Sequence, residues 1–183
     1  PLIVFTPKST LRHPNNVSSI SEFTGRSSFH RLIEDEIKKP KRIIFCSGKI
    51  FYELDDFRTK NNIKDVKIVR IEQIYPFPFD AIGEVILKHK ESEILWVQEE
   101  PKNMGAWSFV KSRIRHVLVK NNLTKKVHYV GRRPAAAPAT GISKRHSTNQ
   151  QLIKELALKS SLKRVIKERS GVSFMKFKNL PKE

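Results

Sequence analysis

The 183-residue chain carries 36 Lys and Arg against 18 Asp and Glu, a formal charge of +18, and is 38% hydrophobic. That size and apolar fraction suit one hydrophobic core with a tail and exclude a large multi-domain enzyme. The longest apolar stretches, residues 42–46 and 94–97, fall far short of the ~20 residues that cross a bilayer, so neither a transmembrane helix nor a membrane partner is expected.

The opening Pro1-Leu2-Ile3-Val4-Phe5 has no initiator Met and no cationic leader, so a fragment or a processed product is expected. Residues 2–5 read as a first strand, 42–46 as a second, 66–71 as a third, 94–98 as a fourth and 127–130 as a short fifth. Between the first two, residues 7–41 are polar and turn-rich and read as a surface excursion. Helical periodicity predicts helices over 51–61, 79–90 and 106–120, the last with Trp107, Val110, Ile114, Val117 and Leu118 on one face. Apolar strands alternating with helices predict an α/β domain with a mostly parallel sheet. Beyond the small-residue loop Pro134–Gly141, a single helix is expected over 147–169, ended by Gly171, and then a short basic end over 172–183. Cys46, inside an apolar run, reads as a buried structural thiol.

A self-contained active site does not emerge. There is no Gly-rich dinucleotide fingerprint, no phosphate-binding P-loop, and no pair of Cys or His at metal spacing, so no metal site is expected. The six histidines are scattered. Ser47-Gly48-Lys49 follows a strand and precedes a helix, where backbone N–H groups can meet an anion. Glu99 and Glu100 end the fourth strand, the edge at which parallel sheets place ligands. Neighbours on a strand point to opposite faces, however, so paired acid and base work is not expected of them. Lys102 and Asn103 complete a polar turn behind them.

Whole phrases carry more than single residues. Phe5-Thr6-Pro7-Lys8-Ser9-Thr10-Leu11-Arg12-His13-Pro14 is followed by Cys46-Ser47-Gly48-Lys49-Ile50-Phe51-Tyr52-Glu53-Leu54 and Arg70-Ile71-Glu72-Gln73-Ile74-Tyr75-Pro76-Phe77-Pro78. Then come residues 96–107, running from Trp96 through Gln98-Glu99-Glu100-Pro101-Lys102-Asn103 to Trp107, and Tyr129-Val130-Gly131-Arg132 with the loop to Gly141. In this order, over about residues 1–158, they resemble the C-terminal domain of the E1 subunit of 2-oxoglutarate dehydrogenase.

The resemblance implies a transketolase C-terminal-like fold, with a five-stranded, mostly parallel sheet and helices on both faces. It implies that the intact subunit decarboxylates 2-oxoglutarate with thiamine diphosphate and Mg²⁺ and succinylates the lipoyl group of an E2 partner. The subunit is then a homodimer in a citric-acid-cycle complex with E2 and E3, in bacterial cytoplasm or mitochondrial matrix. The cofactor motifs lie upstream in this family, so the chain itself is expected to bind neither group, to hold no catalytic residue and to be inactive alone. It would form the dimer and help bind a regulator such as acetyl-CoA or AMP, for which Ser9, Arg12 and Lys49 offer a hydroxyl and two cations. Gln98, Glu99, Glu100, Lys102, Asn103, Trp107, Pro138, Thr140 and Gly141 are the expected interface or structural motif.

The family's E1 is expected to finish near Leu158, which makes residues 159–183, with eight Lys or Arg and two Glu, a basic helical or disordered extension. Two alternatives stand beside this reading. One is the 2-oxoadipate-acting paralogue; the other is a stand-alone basic module for RNA or another acidic partner. Nucleic acid is the weaker partner, because no ordered aromatic platform accompanies a basic groove.

Overall fold

A computed structural model describes residues 1–168 and Gly171. Two compact units divide at His30/Arg31. In the first, two short 3-10 turns, Lys8–Thr10 and Ile20–Glu22, are joined by irregular chain. The strand expected over residues 2–5 does not form. Four apolar residues supply no backbone partner by themselves, and an unpaired strand is not stable; Leu2, Ile3, Val4 and Phe5 are all exposed.

The second unit begins with the strand that replaces it, β1 (Leu32–Glu34), inside the stretch read as a surface excursion. Three residues are too few to show a period of two, which is why pattern alone misses it. β2 (Arg42–Cys46), α1 (Ile50–Lys60), β3 (Val66–Ile71), α2 (Phe79–Lys88), β4 (Glu93–Pro101), α3 (Trp107–Lys120) and β5 (Val127–Arg132) follow. The strand order is β1-β3-β2-β4-β5. β1 runs antiparallel to β3, and the other neighbours are parallel. The result is the mostly parallel five-stranded α/β sheet of a transketolase C-terminal-like domain.

Central β2 is buried at every position, because helices cover both of its faces. Ile43 and Phe45 join Trp96, Tyr129 and the apolar stripes of α2 and α3 on one side. Ile44 and Cys46 join Leu95, Val130, α1 and the helices that follow β5 on the other. Burial pushes the Cys46 thiol up to about 12, which leaves almost no thiolate near neutrality. A thiol reagent added to native protein is therefore expected to label nothing until denaturant exposes the single cysteine; prompt native labelling would contradict this packing.

The helix expected over 147–169 is two helices, α4 (Ser143–Leu158) and α5 (Leu162–Lys167). Ser161 caps α5 by accepting from the Arg164 N–H at 3.4 Å, so the chain turns where periodicity alone continues. The buried Val165 ties α5 to the α1–α4 side of the core. α5 has ended before Gly171, whose N–H donates to the Glu168 carbonyl at 2.7 Å. Arg169 and the basic end over 172–183 lie outside the described residues.

Candidate functional site

From β2 the chain passes to β3 on one side, then crosses β2 to reach β4 on the other. Connections leaving the carboxyl ends of β2 and β4 therefore diverge, and in α/β sheets the crevice so opened is where ligands bind. A cavity of about 230 Å³ lies there, lined by Lys49, Glu99, Glu100, Arg132, Pro138, Ala139, Thr140 and His146.

Gly48 permits the tight exit from β2 with φ +72, and Lys49 then opens α1. The Lys49 ammonium lies 2.8 Å from Glu99 Oε2 and 3.2 Å from Glu53 Oε1. Gln150 Nε2, from α4, donates to the same two carboxylate oxygens at 3.1 Å each. Two carboxylates are thus held apart by one cation and one amide. Burial pulls the Lys49 pKa down, but Glu99 and Glu53 overcome it and hold the group above its ordinary value. With the folded-state pKa raised, the stabilisation is fully present below the unfolded value and is lost as pH rises through the folded one. The unfolding free-energy gap between wild type and Lys49→Met should therefore stay flat from about neutrality and close only beyond about pH 10.5; closure at pH 8, measured by urea titrations across pH, would refute the network.

Glu100 faces the other way. A Cβ on Gly105 would sit 3.1 Å from its Oε2, whereas Glu99 faces Lys49 and Gln150. Both residues line the cavity, but their carboxylates have different neighbours and are not set as a pair.

Behind the cavity, Gln98 is almost wholly buried. Its Oε1 accepts from the Trp96 indole N–H at 2.8 Å and from the Trp107 backbone N–H at 3.0 Å. Its amide donates to the carbonyls of Met104 at 2.7 Å and Pro101 at 3.1 Å. One side chain thus binds β4, the following turn and the start of α3. Gly105, at φ +65, completes that turn; a Cβ there would press on Gln98 Nε2 at 3.0 Å. The Lys102 N–H donates to the Arg132 carbonyl at 3.1 Å. Asn103 holds the Pro134–Gly141 loop through paired bonds to the Ala135 N–H and carbonyl, both at 3.0 Å. Arg132 adds a bond to the Glu99 carbonyl at 2.8 Å and another to the Pro138 carbonyl. Gly141, at φ +71, turns the chain towards α4.

The structure thus brings Lys49, Glu99, Glu100, Pro138 and Thr140 to one cavity and sets Gln98, Lys102, Asn103 and Trp107 in its supporting wall. Ser9 and Arg12 are exposed and belong to the first unit. Sequence reasoning missed Glu53, Gln150, Arg132 and His146 as site residues. Arg132 stood in a quoted phrase, but nothing local marks Gln150, which meets Glu53 across 97 residues.

Residues 17–170 match the family model described as 2-oxoglutarate dehydrogenase C-terminal. The chain belongs to this family. It is similar to the 2-oxoglutarate dehydrogenase E1 component of Brucella anthropi, 43% identical over 160 residues. It is likewise similar to those of Brucella abortus and Brucella ovis, each 42% identical over 160 residues. Each alignment covers 80% of this chain but 16% of the relative. The switch-point cavity is therefore built from a stretch that 2-oxoglutarate dehydrogenase C-terminal family members share. Among the described residues no group of three or more His, Cys, Asp or Glu could hold a metal ion. The donor set does not fit a Mg²⁺–diphosphate site, and no chemical step is assigned to it.

Proposed function

We propose that the chain is the dimer-forming and regulatory C-terminal domain of a 2-oxoglutarate dehydrogenase E1 component. The observation that carries this is the 42–43% identity, over 160 residues, to curated E1 components. The intact subunit decarboxylates 2-oxoglutarate with thiamine diphosphate and Mg²⁺, succinylates the E2 lipoyl group, and works with E2 and E3 in the citric acid cycle. The cofactor then carries the carbanion chemistry, and protein groups bind and orient. The chain alone is inactive, and its compartment is bacterial cytoplasm or mitochondrial matrix.

Exposed apolar side chains in the first unit, Phe5, Val17, Ile20, Phe23 and Phe29 among them, support an interface role. The switch-point cavity supports a regulatory one, with Lys49 and Arg132 offering cations there to a phosphate of acetyl-CoA or AMP. The decisive experiment replaces the matching region of the Brucella abortus E1 component with this chain. Carbon dioxide release from 2-oxoglutarate within roughly tenfold of the parent rate is expected. A folded dimeric chimera no more active than the truncated subunit would end the proposal. Calorimetry of the chimera with acetyl-CoA and AMP tests regulation separately, and no heat at millimolar ligand would remove that part alone.

A further inference from the structure

The charge is not spread evenly. Residues 101–154 contain twelve Lys or Arg and no Asp or Glu, so two thirds of the formal +18 sits in this stretch. α3 and the turn after it carry six of those cations, of which Lys111, Arg115, Lys125 and Lys126 line hollows in the surface. Two hollows of about 520 and 470 Å³ adjoin there and share Lys111, Arg115 and Val119. Together they make one groove along α3.

Its walls and floor differ in kind. Lys111, Arg115 and Lys126 are exposed, and among the described residues none lies within ion-pair distance of a carboxylate. Lys125 points its ammonium at the Ser92 carbonyl, 3.2 Å away. Glu91 and Glu93 approach Lys125 and Lys126 only from a neighbouring hollow, and Glu93 is engaged by Arg42. The floor is apolar, with Leu123 half-buried and Val119 65% exposed. Covering Val119 and Leu123 under a partner that also meets the cations would remove apolar surface from water.

We propose that this groove docks an acidic protein segment whose carboxylates meet Lys111, Arg115 and Lys126 while apolar side chains cover Val119 and Leu123. RNA fits less well. Its phosphates would satisfy the cations, but among the residues lining the groove only His116 offers an aromatic ring to a base, and the apolar floor would stay wet.

The test uses the whole chain and three labelled probes read by fluorescence anisotropy: a short Glu/Leu peptide, a Glu/Ser peptide of equal charge, and oligouridylate. The variants are K111E/R115E and, as an equal charge change at two exposed sites elsewhere, K38E/K39E. The Glu/Leu peptide should bind more tightly than the other two probes, and K111E/R115E should weaken it at least about tenfold while K38E/K39E does not. Equal weakening by both variants would reduce the effect to net charge and overturn the proposal. So would oligouridylate binding as tightly as the peptide, or no peptide binding at about 50 mM salt. If K111E/R115E does not fold, the single Lys126→Glu variant reads the same contact.

Discussion

Replacing Gln98 with leucine is expected to destabilise the second unit by about 4 kcal/mol, the sum of two buried donors each left unmet at roughly 1–3 kcal/mol. The Trp96 indole N–H and the Trp107 backbone N–H both end on Gln98 Oε1, and leucine offers neither a partner. The Met104 carbonyl loses its 2.7 Å donor as well, whereas the Pro101 carbonyl keeps the Met104 N–H at 2.8 Å. Gln98→Glu separates the two halves of the clamp. Its carboxylate still accepts from both N–H groups but faces two carbonyls where an amide donated. Protonation restores one donor, so the buried acid has a raised folded-state pKa and the variant gains stability as pH falls. Urea titrations of both variants at two pH values check this. A Gln98→Leu loss below about 1 kcal/mol would show that the turn does not depend on the clamp.

That clamp was half legible. Residues 98–103 stood out as a phrase at a strand end, and the carboxyl edge of a parallel sheet is where such phrases belong. β2 and β3 were legible to the residue, because strands buried on both faces are rich in β-branched apolar residues, interrupted here only by Arg42, Lys67 and Arg70. α3 was legible because its stripe alternates at three and four residues. What failed depends on partners rather than pattern. Leu2–Phe5 has strand composition and no pairing partner, whereas Leu32–Glu34 has little pattern but three register positions against β3. The Lys49 network was invisible for the same reason, since Gln150 reaches Glu99 across 51 residues. Periodicity also runs through residues 159–161, where the structure breaks the helix, and a distant side chain joins the Ser161 cap in holding that break.

That side chain is Arg42, and its loss is expected to cost about 2–4 kcal/mol, because two helix-end carbonyls lose a charged donor while the partly exposed Glu93 keeps some contact with water. At the start of β2 it is 6% exposed, and its guanidinium spans strand and helix at once. Nε reaches Glu93 Oε2 at 2.7 Å and Nη2 reaches the same oxygen at 2.5 Å. Nη1 donates to the Ala157 carbonyl at 2.8 Å, and Nη2 also to Ser160 at 2.9 Å. The last carbonyls of a helix have no partner of their own, so a cation there both caps α4 and suits the negative end of its dipole. Arg42→Met leaves those carbonyls and Glu93 without it. Arg42→Lys keeps the charge but not the planar fork and should recover only part of the loss. In Arg42→Met/Glu93→Gln the stranded carboxylate is gone, so the double variant should be more stable than Arg42→Met alone. Amide exchange should localise the damage, rising first at residues 156–162, where α4 ends and α5 begins. A drop under about 1 kcal/mol, or exchange rising evenly across the sheet, would mean that Ser161 and the α5 packing, not Arg42, set the break.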